Sequence, residues 1–334
     1  MRIRLTRADP QRIRRAWLVR RARTPAVLVV AGALGLVGGL QAAAPASVKC
    51  PPKNPHCQTT TTTSTTTPTT TTATTSTVPT TGSWPAQWRF AYSNRADQAL
   101  MPTYGYNLID ATTKDEADAV PPGTHAQVWL FDYDNRTCTW EKDDAYVRNV
   151  VSSMANDPHV VGFYFSNEPD PFACPTAPQQ HKDRNALIHS LAPTKYTLIG
   201  IDANWREHFD RYGSMWVGTA DYINYNPYIC YEWDTSSCDY AWLDQVLQTA
   251  QSLPQPYFIA LQAFREKGDW RWPTAAEEAR MLNRLKDPTL TGLRGYLTFS
   301  WNWQNDPLLN HPAVLAEIQA YNLGLPSPCC GGGP

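Results

Sequence analysis

From residue 87 onward the chain repeats one pattern: a short β-prone apolar run, an abrupt polar or turn-forming stop, then a stretch with helical spacing. The runs are Gln87–Tyr92, Tyr104–Ile109, Ala126–Tyr133, Val160–Phe165, Thr197–Asp202, Tyr222–Tyr228, Tyr257–Phe264 and Leu293–Trp301. Apolar runs of this length between turn formers predict buried strands. The fourth stops hardest, at Ser166-Asn167-Glu168, because Pro169 and Pro171 lack the N–H that a strand ladder requires. Between the runs, Asp143–Met154 puts Val147, Val150, Val151 and Met154 on one helical face. Further helices are predicted over Lys182–Leu191, Ala241–Leu253, Thr274–Leu285 and Pro312–Tyr321. The fourth of these five opens on Thr274 and Glu277, the spacing of a capping box. Helices after strands one, two and five are poorly marked.

Eight strands alternating with helices over residues 84–325 predict an α/β domain, a (β/α)8 TIM barrel. A doubly wound open sheet is the alternative. No Gly-rich phosphate loop follows the first strand, which argues against that alternative and against a nucleotide cofactor.

The start of the chain changes the picture of where this domain works. Residues 1–24 carry nine Arg, an uncharged run from Pro25 to Leu40 follows, and Ala-rich residues close the segment at Ala46. A basic region, an apolar core and an A-x-A site predict an export signal over 1–46. Residues 47–83 begin with a Cys- and Pro-containing stretch and continue as a Thr/Ser tract. With nothing to bury, that tract is expected to be a disordered linker, suited to tethering at a wall or cell surface. Residues 326–334 read as a flexible tail. Without the signal, 20 basic residues face 29 acidic ones, about −9, which disfavours nucleic acid and anionic membranes as partners.

Eight Cys in an exported chain point to disulfides. Cys230 and Cys238 flank one short loop, Cys138 and Cys174 follow neighbouring strands, and Cys50 with Cys57 can close a small ring. Cys329-Cys330 has no obvious partner. No C-x-x-C pair occurs and His is sparse, so no metal site is expected.

In a barrel the chemistry gathers where strands end. Those ends carry Tyr92 and Asn94, Asp132 and Asp134, Asn167, Glu168 and Asp170, Asp202, Asn204 and Trp205, then Asn226, Tyr228, Glu232 and Trp233. Gln262, Arg265, Glu266, Trp301, Asn302 and Trp303 complete the set, with Trp270 and Trp272 in the loops. Aromatic rings stack on sugar faces, and amides and carboxylates bond hydroxyls, so the set suits a carbohydrate.

Asn167-Glu168-Pro169 at the end of strand four, an aromatic strand six and Trp301 ending strand eight resemble the TIM-barrel glycoside hydrolases of clan A. That resemblance implies Glu168 as general acid/base, Asn167 as the residue holding the sugar 2-hydroxyl, and Tyr228 as an orienter of a catalytic carboxylate. The chain departs from the clan at strand seven, where Gln262 stands in place of the nucleophilic Glu. Hydrolysis ordinarily needs a second carboxylate, and Asp202 and Asp132 are the best placed. Tyr92, Asn204, Asn226, Tyr228, Gln262, Trp301 and Trp303 are the candidate substrate-binding residues. The expectation is a secreted, monomeric glycoside hydrolase without cofactor; the alternative is a catalytically silent glycan-binding barrel.

Overall fold

The computed structural model describes residues 87–329 except 205, 207 and 208. The expected export signal, the Cys50–Cys57 ring and the Thr-rich linker lie outside the described residues.

Eight parallel strands close into a barrel: β1 (Trp88–Ala91), β2 (Leu108–Ala111), β3 (His125–Trp129), β4 (Val160–Asn167), β5 (Tyr196–Asp202), β6 (Tyr222–Asn226), β7 (Tyr257–Gln262) and β8 (Leu293–Phe299). Each pairs in parallel with its sequence neighbours, and β1 pairs with β8 through Trp88↔Gly295 to Ala91↔Thr298. Closure leaves no unpaired edge. A 3-10 segment, Arg95–Tyr104, follows β1. Seven helices follow the other strands: α1 (Lys114–Asp118), α2 (Asp144–Met154), α3 (Ala177–Leu191), α4 (Phe209–Met215), α5 (Tyr240–Ser252), α6 (Ala275–Arg284) and α7 (Pro312–Leu323). This is the expected (β/α)8 architecture.

Strand alternation divides the apolar residues between two cores. Ile199, Ile201, Ile223, Tyr225, Ile259 and Leu261 pack outward under the helices. The inward positions carry rings instead: Trp88 meets Tyr196 (6.2 Å), Tyr196 meets Tyr222 (5.1 Å), and Tyr222 meets Phe258 (5.5 Å). So many aromatics fit because Gly162 and Gly295 leave room for them. A Cβ on Gly295 would come within 2.6 Å of Phe258 and 2.7 Å of Trp88, and one on Gly162 would collide with the Tyr196 ring.

One helix start follows the capping chemistry read from the sequence, and a second is capped by a residue not singled out there. Thr274 and Glu277 form the reciprocal capping box of α6, and Asp143 accepts the Tyr146 N–H at 2.8 Å ahead of α2. Helix α3 begins earlier than expected, at Ala177, because Pro178 in its first turn has no N–H to lose. Disulfides join Cys138 to Cys174 and Cys230 to Cys238, two links that fit an oxidising compartment. Cys329 is disulfide-bonded as well. Ser327 and Cys329 are tied back to α7: Ser327 Oγ–H and the Cys329 N–H each donate to the Glu317 carboxylate at 2.6 Å. Among the described residues no helix is long and apolar enough to cross a membrane.

Several strand bounds differ from expectation. The run read as strand two is mostly 3-10 turn and loop, with Gly105 turning the chain in the left-handed region (φ 71°). The true β2 starts at Leu108 and runs to Ala111. The third strand ends at Trp129, and Tyr133–Asp134 pairs with Thr139–Trp140 in a small hairpin. The sixth, seventh and eighth strands stop at Asn226, Gln262 and Phe299, two residues short of the apolar runs.

Candidate active site

The end of β4 is irregular. Its pairing with β5 slips between Tyr164↔Leu198 and Asn167↔Gly200, a shift of the kind that re-aims a side chain. Asn167 thereby reaches the barrel interior, where its Oδ1 accepts from the Tyr164 hydroxyl (2.8 Å) and from Asn226 Nδ2 (3.1 Å). Gly200 allows this approach, since a Cβ there would run into both Tyr164 Oη and Asn167 Oδ1. Glu168 follows with φ 54°, a left-handed conformation that a non-glycine residue holds only when its surroundings enforce it. Its N–H donates to Gly200 O (2.8 Å), and its carbonyl accepts from Asn135 Nδ2 (2.9 Å). The Pro169 carbonyl accepts from the Tyr212 hydroxyl at 3.0 Å.

The Glu168 side chain is half-buried, with Oε1 accepting from Asn226 Nδ2 at 3.0 Å. Asn226 is itself fixed, because its Oδ1 takes a bond from Asn224 Nδ2 at 2.5 Å. One buried amide therefore positions both members of the Asn-Glu pair. Asn204 joins from the next loop, its Nδ2 donating to Asn226 O (3.1 Å) and its N–H to Asp202 Oδ1 (2.8 Å).

Two further carboxylates flank this pair. Asp132, almost fully buried, accepts the Asn167 N–H at 2.7 Å and so supports the irregular end of β4 from the β3 side. Asp202 ends β5, in register with Asn226, and is more open to solvent. Their proximity shows in the neighbouring phenols. Burial pushes the Tyr228 hydroxyl well above its ordinary value, and the charges of Glu168, Asp202 and the nearby phenols of Tyr164 and Tyr92 push it further. Burial does the same to Tyr164, helped by Tyr92, Asp132 and Glu168. Glu168, Asp202, Asp132, Tyr92, Tyr164 and Tyr228 thus share one electrostatic neighbourhood, with both phenols neutral at physiological pH.

Aromatic rings line the same end of the barrel. Tyr92 stacks on Phe299 (5.3 Å), Trp129 meets Tyr164 (4.9 Å), and Tyr228 packs against Phe264, Trp270 and Phe299. Trp303 reaches this bed, 5.0 Å from Phe299.

Two expected binding residues sit elsewhere. Trp301 is buried between Tyr104 and Tyr106, and its indole N–H donates to Asp97 at 2.8 Å. Gln262 is fully buried, and its amide is engaged by backbone: Oε1 accepts the Cys230 N–H (2.9 Å), while Nε2 donates to Cys230 O (3.1 Å) and Arg271 O (2.7 Å). Trp205 lies outside the described residues.

The sequence reading passed over Tyr164, Phe299, Asn224 and Asp110. Asp110, near the end of β2, is buried, and that burial pushes its carboxyl up to about 7 against the pull of Arg95, whose Nε lies 3.3 Å away. The signal for it was present in Leu108-Ile109-Asp110-Ala111, an acidic residue inside an apolar run. Two groups among the described residues are close enough together to hold a metal ion: Asp118, Asp157 and His159, and Cys230, Cys238 and Glu277. Neither includes a carboxylate of the cleft, and the two Cys are joined to each other.

No family model matches the chain, and no curated protein matches it. Solved structures that resemble it include a glycosyl hydrolase family 2 member from Bacteroides cellulosilyticus, at 14% identity over 62% of this chain with a TM-score of 0.40. A GH128 subgroup II endo-β-1,3-glucanase from Sorangium cellulosum matches at 13% identity over 73% of this chain and 99% of its own, with a TM-score of 0.47. Gas2 matches at 14% identity over 70% of this chain and 59% of its own, with a TM-score of 0.51. The chain spans 25% of the length of the family 2 member, and 31% and 30% of two β-glucuronidases from Bacteroides uniformis. At this level of identity the likeness to Gas2 speaks to a shared barrel.

Proposed function

We propose that this chain is a secreted glycoside hydrolase that cleaves a polysaccharide or its oligosaccharides, with Glu168 as general acid. The observation that carries the reading is the placement of Glu168 at the carboxyl end of β4, bonded to Asn226 and flanked by the carboxylates of Asp132 and Asp202. Glu168 protonates the departing glycosidic oxygen. Asp202 is the second carboxylate, activating water or meeting the developing positive charge on the sugar. Asp202 suits that role better than Asp132, because Asp132 is nearly buried and engaged in supporting the Asn167 amide. Asn167, Asn204, Asn226, Tyr92, Tyr228 and Trp303 are the groups assigned to the sugar's hydroxyls and faces, with Tyr228 able to donate to a catalytic carboxylate while its phenol stays neutral.

The test is reducing-sugar release from a panel of polysaccharides. Wild type should hydrolyse at least one member, Glu168→Gln should lose at least about 10²-fold in kcat, and Asp202→Asn should show a comparable loss. Full activity in Glu168→Gln would remove the proposal. A second reading, glycan binding without hydrolysis, draws on the amide at the end of β7, where Gln262 supplies no carboxylate. Retained binding with no hydrolysis of any panel member would favour it.

A further inference from the structure

Among the described residues, the large hydrophobic side chains left exposed are four leucines and one aromatic, Trp233, which is 54% exposed. An indole in water is costly unless something stacks on it, and this one is held in place rather than left loose. It lies parallel to Tyr231, with centroids 4.6 Å apart and 19° between planes, so one face is covered and the other is open. The support beneath is fixed in turn. Arg206 donates to Tyr231 Oη and to Asp239 Oδ2, both at 2.7 Å. The Cys230–Cys238 disulfide closes the loop, Tyr231 bridges to Trp270, and the Glu232 N–H donates to Asp269 O at 3.0 Å. The Glu232 carboxylate is anchored by Arg265 Nη2 (2.9 Å) and the Gly268 N–H. Tyr231 and Glu232 are therefore held by polar contacts, and Trp233 stacks on that support with more than half of its surface exposed.

This loop follows β6 and belongs to the carboxyl rim of the barrel. Tyr228, whose phenol feels the Glu168 charge, precedes Trp233 by five residues, a chain span of at most about 17 Å. We infer that Trp233, stacked on Tyr231, is a platform for a pyranose ring at a distal subsite, a few sugar units from Glu168, so that the preferred ligand is an oligo- or polysaccharide chain rather than a single glycoside. The inference rests on the carbohydrate reading of the cleft. A pyranose presents one apolar face of C–H groups that an indole covers well, with hydroxyls at its edge.

The experiment measures binding of cellohexaose, xylohexaose, laminarihexaose and chitohexaose, each beside its disaccharide, by tryptophan fluorescence and calorimetry. Trp233→Ala and Trp233→Phe are compared in the Glu168→Gln background, where hydrolysis does not consume the probe, with equal melting temperatures as the folding control. At least one hexasaccharide should bind, Trp233→Ala should weaken it about tenfold, Trp233→Phe should retain most of the affinity, and the disaccharide should be unaffected. Equal hexasaccharide affinity in all variants, or binding of none of the probes, overturns the platform. Hydrolysis by wild type is read separately. Binding that depends on Trp233 without hydrolysis leaves the platform standing and removes the hydrolase; hydrolysis with binding independent of Trp233 does the reverse.

Discussion

Asp110 offers a sharp test of the barrel's electrostatics. Its carboxyl is buried near the end of β2, with its charge opposed by desolvation and favoured only partly by Arg95. Burial lifts it from 3.8 to about 7 in the folded protein, and unfolding returns it to the ordinary range. Between those values the folded state holds a proton that the unfolded state releases, so stability falls as pH rises. The contribution is fully present below about pH 4 and is lost as pH passes about 7. Roughly three pH units at about 1.4 kcal/mol each comes to about 4 kcal/mol. Asp110→Asn keeps the shape and removes the titration. Urea unfolding of both proteins at pH 4.5, 5.5, 6.5, 7.5 and 8.5, disulfides intact, should show the variant gaining on wild type through about pH 7.5 and levelling off above about pH 8. Subtraction removes the titrating groups that do not interact with Asp110; Glu116, whose charge adds to the Asp110 shift, stays in the difference. A wild-type-minus-variant difference that stays constant with pH, or moves the opposite way, refutes the reasoning.

Other perturbations probe separate parts of the molecule. Gly200→Ala should displace Tyr164 Oη and Asn167 Oδ1, so kcat should fall by at least about tenfold and the melting temperature should drop with it; a normal kcat would show that the contact is dispensable. Glu278, on α6, is buried with both carboxylate oxygens unpartnered and with Glu317 close by, and both effects push its carboxyl well above the ordinary range. The sign follows that of Asp110, so Glu278→Gln should raise stability at pH 8 more than at pH 4, measured by thermal unfolding. Thr274→Ala should cost about 1 kcal/mol in chemical denaturation through loss of the α6 cap, without change in sugar binding.

Much of the barrel could be read from periodicity, because each strand of a closed parallel barrel is covered on both faces and shows as a continuous apolar run. All eight runs mark strand regions, and the five expected helices form with shifted ends. The misreadings have local causes. Tyr104 and Tyr106 look like strand residues, but Gly105 turns the chain there and Tyr106 packs against Trp301. The apolar run therefore predicts an end at Ile109, two residues short of Ala111, and leaves Asp110 outside the strand. Trp301 looked like the end of strand eight, whereas Phe299 is the ring that stacks on Tyr92. The grouping of Asn167, Glu168, Asp202 and Asn226 followed from strand counting alone. The bonds that orient them did not, since Asn226 reaches Glu168 across 58 residues of chain and a pairing slip decides which way Asn167 points.

Gln262 bears on the chemistry available at the end of β7. Its amide offers one acceptor to an N–H and two donors to two carbonyls, and a carboxylate has only acceptors. Installing Glu there would aim lone pairs at the Cys230 and Arg271 carbonyls and separate the two loops that the amide ties together. The position is thus committed to joinery: the chain cannot acquire a strand-seven nucleophile by a single substitution without loosening the rim that carries Tyr231 and Trp233.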